Sequence, residues 1–215
     1  MMRSKFDEQL DRLNKEMMKM GSAIEDSIRK AVDALVRQDA ELAKKVMIQD
    51  EEIDREQKTI ENICFNLLIQ QQPVAKDLRL ISAALKMITD MERIGDQASD
   101  IAEIIGFLNG RIGTDAQYIC QMAVAAMRMV TESVEAYVKR DVAMAEATIQ
   151  HDDVVDDLFL KVKESLIQMI SVNPKDGEYA LDLLMIAKYF ERIGDHATNI
   201  AEWVVFSVTG VHEQG

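Results

Sequence analysis

Carboxylates four residues apart recur along this chain. Glu92 and Asp96 enclose Arg93-Ile94-Gly95, with Asp100 one turn further on. Ninety-nine residues later Glu191 and Asp195 enclose Arg192-Ile193-Gly194, and Asn199 stands in the place of Asp100. Two more pairs, Asp50 with Asp54 and Asp152 with Asp156, precede these motifs. On a helix, residues at that spacing have Cβ atoms about 5–6 Å apart, so one cation can touch both carboxylates; without a cation, like charges cost roughly 0.2–0.5 kcal/mol per pair. The donors are all oxygen and no cysteine is near, which selects hard cations (Mg²⁺, Mn²⁺, Ca²⁺ or oxidised iron) over Cu⁺ or structural Zn²⁺. Spacing does not choose among them. The competing reading is a solvated acidic face, the ordinary explanation of any single pair. Against it, both copies keep an identical Arg-Ile-Gly insert, and glycine inside a helix costs about 1 kcal/mol relative to alanine.

The correspondence extends outward from the motifs. Asp96-Gln97-Ala98-Ser99-Asp100-Ile101-Ala102-Glu103 aligns without a slip on Asp195-His196-Ala197-Thr198-Asn199-Ile200-Ala201-Glu202. A period near 100 in 215 residues means two copies of one unit, with boundaries at 1–109 and 114–215. Nine glycines, two prolines, few aromatics, fourteen methionines and 48% apolar residues describe helix formers. The fold expected is all-α: two tandem three-helix bundles, six long antiparallel helices in total.

The elements that must position the acids follow from periodicity. Leu10, Leu13, Met17, Met20, Ile24, Ile28, Ala31 and Leu35 recur at spacings of four and three, the seam of a first helix ending near Arg37. Asp39 is placed to cap a second helix, about 40–70, with Leu42, Val46, Ile53, Ile60, Ile63 and Leu67 inward. Pro73 breaks the pattern. A third helix carries the seam Leu80, Ala84, Met87, Met91, Ile94, Ala98, Ile101 and Ile105, and Gly106, Gly110 and Gly113 mark its end and a linker. The second unit repeats this plan over about 115–140, 142–170 and 178–208, with a break at Asn173-Pro174 and a last seam of Tyr179, Leu183, Ile186, Phe190, Ile193, Ala197, Ile200 and Val204. Short connections imply an up-down-up bundle in each unit.

At about 100° per residue, Glu92, Asp96 and Asp100 fall near 0°, 40° and 80°, while the seam spans roughly 180° to 280°; the carboxylates point away from the core. Gly95 and Gly194 lie at the seam's edge, where a missing side chain lets a neighbouring helix approach. Arg93 and Arg192 flank the acidic stripe. Ile81, Leu85 and Ile88 lie outside the seam and read either as a contact surface or as a second buried side of the helix. His196 reads as a surface residue, His151 as a hydrogen-bonded buried group, and Cys64 and Cys120 as buried thiols.

A formal charge of −13 spread over both halves repels phosphate backbones, which excludes nucleic-acid binding and favours cations or basic partners. No run approaches the ~20 apolar residues of a membrane span, and the N-terminus lacks the apolar stretch of a signal peptide, so a cytoplasmic protein without membrane insertion is expected.

The doubled Glu-Arg-Ile-Gly-Asp string, in register and joined by Pro73-Val74-Ala75-Lys76-Asp77-Leu78-Arg79, resembles the PhoU family of phosphate-response regulators over nearly the whole chain. The resemblance implies a non-enzymatic negative regulator that couples the ATPase of a phosphate transporter to a phosphate-sensing histidine kinase. It also implies iron, Mn or Mg at the motifs, and homodimers. Asn199 departs from the first copy and implies a weaker or different second site. Two other readings compete: a helical adaptor that binds no metal, and a carboxylate-bridged di-metal enzyme. The second needs inward carboxylates and Glu-x-x-His pairs, which the chain does not contain.

Overall fold

The computed structural model describes residues 2–71, 73–108 and 116–211, and all the regular structure in them is helical. The rods are α1 (Met2–Arg37), α2 (Ala40–Gln71), α3 (Ala75–Ile105), α4 (Ala116–Lys139), α5 (Val142–Gln150) continued by α6 (Asp152–Val172), and α7 (Gly177–Thr209), with a single 3₁₀ turn at Pro174–Asp176. The all-α tandem architecture with six rods is as expected. One correction applies to the fifth, read as continuous and broken in fact at His151. The Thr148 hydroxyl donates back to the Met144 carbonyl at 2.9 Å, a bond that bends helices. The His151 N–H then bonds Thr148 O at 3.1 Å and the Val154 N–H bonds His151 O at 3.1 Å, two tight i to i+3 links at the junction. Gln72, Gly110, Gly113 and Asp115 lie outside the described residues.

Both units reverse direction between their first two rods with the same device. Gln38 (φ 53°) and Arg140 (φ 55°) take the left-handed conformation, and an aspartate follows each. The Asp39 carboxylate accepts the N–H groups of Glu41 and Leu42 at 3.0 Å, and Asp141 accepts that of Met144 at 3.0 Å. These capping bonds satisfy donors that have no partner inside the helix. The C-terminus of α7 closes on Gly210 (φ 79°), whose N–H bonds Phe206 O at 2.8 Å. A Cβ there would stand 3.4 Å from the Arg79 guanidinium, so the end of the last rod lies against the start of the third.

All the seam residues expected in α1, α3 and α7 are buried, and in α2 only Leu42 is partly exposed. The two units do not keep separate cores. α3 packs along α7, α1 against α4, and the buried side chains of both repeats form one contiguous cluster. Burial of Ile81 and Ile88, with Leu85 partly covered, follows from that second neighbour of α3. The Tyr137 hydroxyl on α4, fully buried, donates to the Leu80 carbonyl on α3 at 3.2 Å. One core implies one cooperative transition. Tyr137→Phe is expected to cost about 1 kcal/mol, and urea unfolding followed by Trp203 fluorescence and by helical circular dichroism should give coincident midpoints in both the parent and the variant.

Candidate functional site

The close approach of α2 to α3 is made at Gly95. A Cβ added there would lie 2.9 Å from Ile53 Cδ1 and 3.2 Å from Asp50 Oδ1. The same notch recurs at Gly194, where a Cβ would lie 3.2 Å from Asp152 Oδ1 and 3.5 Å from Val155 Cγ1. Each glycine therefore puts helix backbone against a carboxylate of the preceding rod. One groove gathers Asp50 and Asp54 from α2 with Glu92 and Asp96 from α3; the other gathers Asp152 and Asp156 from α6 with Glu191 and Asp195 from α7.

The acids leave the core as the helical angles require, but most do not reach open water. Asp50, Asp54, Glu92, Asp96, Asp100, Asp152 and Glu191 are half-buried, and Asp156 and Asp195 are exposed. Burial pushes the Asp50 carboxyl up to about 6, and the charges of Asp96, Asp54, Glu92 and Asp100 add to the shift. Asp152 is also raised to about 6, by burial and then by the charges of Asp156 and Asp195. Glu92, Asp96, Asp156 and Asp195 are raised as well, in each case by burial first and by neighbouring carboxylates after it.

These grooves suit a hard cation on three grounds. Asp50 Oδ1 is buried without a hydrogen-bond donor, the glycines bring the carboxylate-bearing rods close together at Asp50 and Asp152, and every donor is a carboxylate oxygen. In their present rotamers no three His, Cys, Asp or Glu side chains among the described residues are gathered tightly enough to enclose an ion. Binding thus requires the carboxylates to turn toward one another.

Of the remaining two expected ligands, Asp100 lies near enough to the first groove to raise Asp50 and Asp96 and also meets the second repeat, whereas Asn199 faces the first repeat. The Asp100 carboxylate pairs with the Tyr189 hydroxyl and lies near Arg192, and burial raises it. Asn199 Nδ2 donates to Asp90 Oδ1 at 3.3 Å, and His196 Nδ1 lies 2.8 Å from the same oxygen. Both sets join α3 to α7. They are related by the repeat, since Asp90 corresponds to Tyr189 and Asp100 to Asn199. His196 is accordingly an interface group and not a surface residue, because the second unit folds over the face that one bundle alone leaves open. Asp90, Tyr189 and Lys188, which ion-pairs with Glu191, were missed by sequence reasoning; comparing the copies at the fixed offset of 99 could have marked all three.

Away from the acids, an apolar groove of about 600 Å³ between α4 and the α5–α6 junction is lined by Cys120, Val124, His151, Val154 and Leu158. His151 is half-exposed there, 3.3 Å from Glu132, and not buried. Cys120 is half-exposed too, whereas Cys64 is buried and its thiol is pushed up to about 12.

Two helical repeats, each with a glycine-notched carboxylate groove between its second and third rods and fused through one core, define a class of tandem acidic-groove bundle. A family model described as the PhoU domain matches residues 17–105 and again 119–204, and the chain belongs to the PhoU family. It is 37% identical over 212 residues to a phosphate-specific transport system accessory protein PhoU homolog of Clostridium acetobutylicum, covering 98% of this chain and 97% of that protein. The crystal structure of PhoU from Pseudomonas aeruginosa superposes with a TM-score of 0.90 at 31% identity, over 96% of this chain and all of that one. The phosphate transport system regulatory protein PhoU of Streptococcus pneumoniae shares the fold with a TM-score of 0.87 at 24% identity, over 97% of this chain and 99% of that one.

Because Asp50 and Asp152 sit near 6 in the folded chain against an ordinary 3.8, the folded form binds their protons more tightly than the unfolded form. The stability they lend is present below about pH 4 and is lost as pH rises through 6. In chelator at pH 7.5, Asp50→Asn should therefore raise stability by about 1 kcal/mol after allowance for solvent screening, roughly 2–4 °C in Tm. Thermal melts at pH 5 and 7.5 check this: the gain should shrink at the lower pH. Gly95→Ala should be less stable than Gly194→Ala by about 1–2 kcal/mol, since only the first meets a contact below 3 Å; urea midpoints decide the order.

Proposed function

We propose that this chain is a cytoplasmic, non-enzymatic negative regulator of phosphate uptake and of the phosphate-starvation response, acting between the ATPase of a phosphate-specific transporter and a sensor histidine kinase. The single observation that carries the reading is the doubled, notched carboxylate groove in a member of the PhoU family. The relatives described as accessory proteins of phosphate-specific transport supply the biological context.

Asp50, Asp54, Glu92 and Asp96 would hold hard cations in the first groove, and Asp152, Asp156, Glu191 and Asp195 in the second, with iron, Mn and Mg as the matching ions. Such a cation supplies the positive charge that four clustered carboxylates lack, and it presents that charge at the surface to a partner. The protein's own part is to gather the oxygens, exclude water from one side of them and hold their spacing through the glycine contacts. The apolar groove beside His151 lies away from these carboxylates, which favours docking over turnover. A homodimer is the assembly this reading takes. A metal-free adaptor would use the same faces as plain acidic surfaces.

Co-purification with the transporter ATPase and with the kinase, at high and low phosphate, tests the function. The parent chain should be retained by both partners in a phosphate-dependent manner. Replacing Glu92, Asp96, Glu191 and Asp195 together by alanine should reduce retention at least about tenfold while the helical spectrum is kept. Full retention and intact repression in that variant would refute the assignment of the grooves.

A further inference from the structure

The two grooves differ in burial, since Asp156 and Asp195 are more exposed than Asp54 and Asp96, and in one cationic contact. One turn ahead of Glu191 stands Lys188, whose ammonium ion-pairs with the Glu191 carboxylate and lies 5.6 Å from the centroid of the Phe159 ring on α6. The matching position ahead of Glu92 is Thr89, whose hydroxyl faces the Leu85 carbonyl of its own helix at 3.5 Å. Phe159 has no counterpart either, since the offset that relates Asp152 to Asp50 places Gln57 there. The flanking charges do not reproduce the contact: Glu51, Glu52 and Arg55 border the first groove on α2, and Asp153 and Asp157 border the second on α6. An ammonium on a four-carbon stem, steadied by a ring face, is a cation already seated in the second groove.

We propose that Lys188 is the tethered counter-cation of the second groove, so that a hard cation fills the first groove before the second and must displace Lys188 from Glu191 to enter there. The inference rests on the reading that both grooves take hard cations. It makes the repeats unequal by design: the first is a standing cation site and the second a conditional one, gated by a side chain that leaves only when cation concentration or a partner's acidic group draws it off. Asn199, which serves the α3–α7 contact, plays no part in that inequality.

Calorimetric titration of the full chain with Mn²⁺, after chelator treatment, tests the proposal. Asp50→Asn with Asp96→Asn isolates the second groove, and Asp152→Asn with Asp195→Asn isolates the first. The first groove should bind Mn²⁺ roughly tenfold more tightly than the second. Lys188→Thr, which copies the first repeat at a half-buried helical position, should strengthen the second groove by about the same factor and leave the first unchanged, whereas Lys188→Arg should keep the second groove weak. Thermal melts confirm that each variant is folded. If Mn²⁺ binds both grooves and Lys188→Thr changes neither, the role of Lys188 is refuted while the cation reading stands. A gain at both grooves alike reduces Lys188 to general surface charge and also refutes the proposal. No Mn²⁺ uptake at either groove overturns both readings.

Discussion

The structure turns on the contact of a helix backbone with a carboxylate. At Gly95 the third rod comes so near the second that a methyl group would overlap Ile53 and press on Asp50. Distance fixes the rest. Because the rods are this close, the acids of both helices share one groove, lose part of their water and feel one another's charge. Like charges with little solvent between them are unfavourable unless protons or cations answer them. A glycine that weakens its helix by about 1 kcal/mol thus creates a surface that calls for positive charge, and the fold does this twice.

The helical seams were almost fully legible in the sequence, because burial of one face imposes a spacing of three and four that no surface pressure mimics. Every expected seam residue of α1, α3 and α7 is buried. The acidic motifs were legible as positions and as a direction away from the core. What the spacing does not contain is where the next helix stands. A helical angle orients a side chain about its own axis only, so Asp50 and Asp96 read as separate outward stripes although they share a groove. For the same reason Asn199 and His196 read as site or surface groups, whereas the other repeat receives them at Asp90. The break at His151 escaped because its cause is a hydroxyl bonding back along its own helix, at a residue, Thr148, that fits the helical pattern.

Fusion of the repeats through α3 and α7 changes what the grooves can do. Both third rods carry a glycine notch on one side and the inter-repeat contact on the other, with Asp100, Tyr189, Asp90, His196 and Asn199 at the latter. A cation that draws α2 toward α3 therefore pulls on the helix that the second repeat packs against. Packed helices transmit such shifts because their interiors have little free volume. Family membership and the doubled grooves place two acidic faces on one fused core, and on the proposed reading Lys188 sets those faces apart.

The central claim is that the glycine-notched grooves are cation sites, and anomalous diffraction at the manganese edge from crystals grown with Mn²⁺ tests it most directly. The account predicts a peak between α2 and α3, within coordination distance of carboxylate oxygens from Asp50, Glu92 and Asp96, with any second peak at Asp152 and Asp195 weaker. Ordered carboxylates with no peak in either groove, or peaks confined to other surfaces, would contradict it.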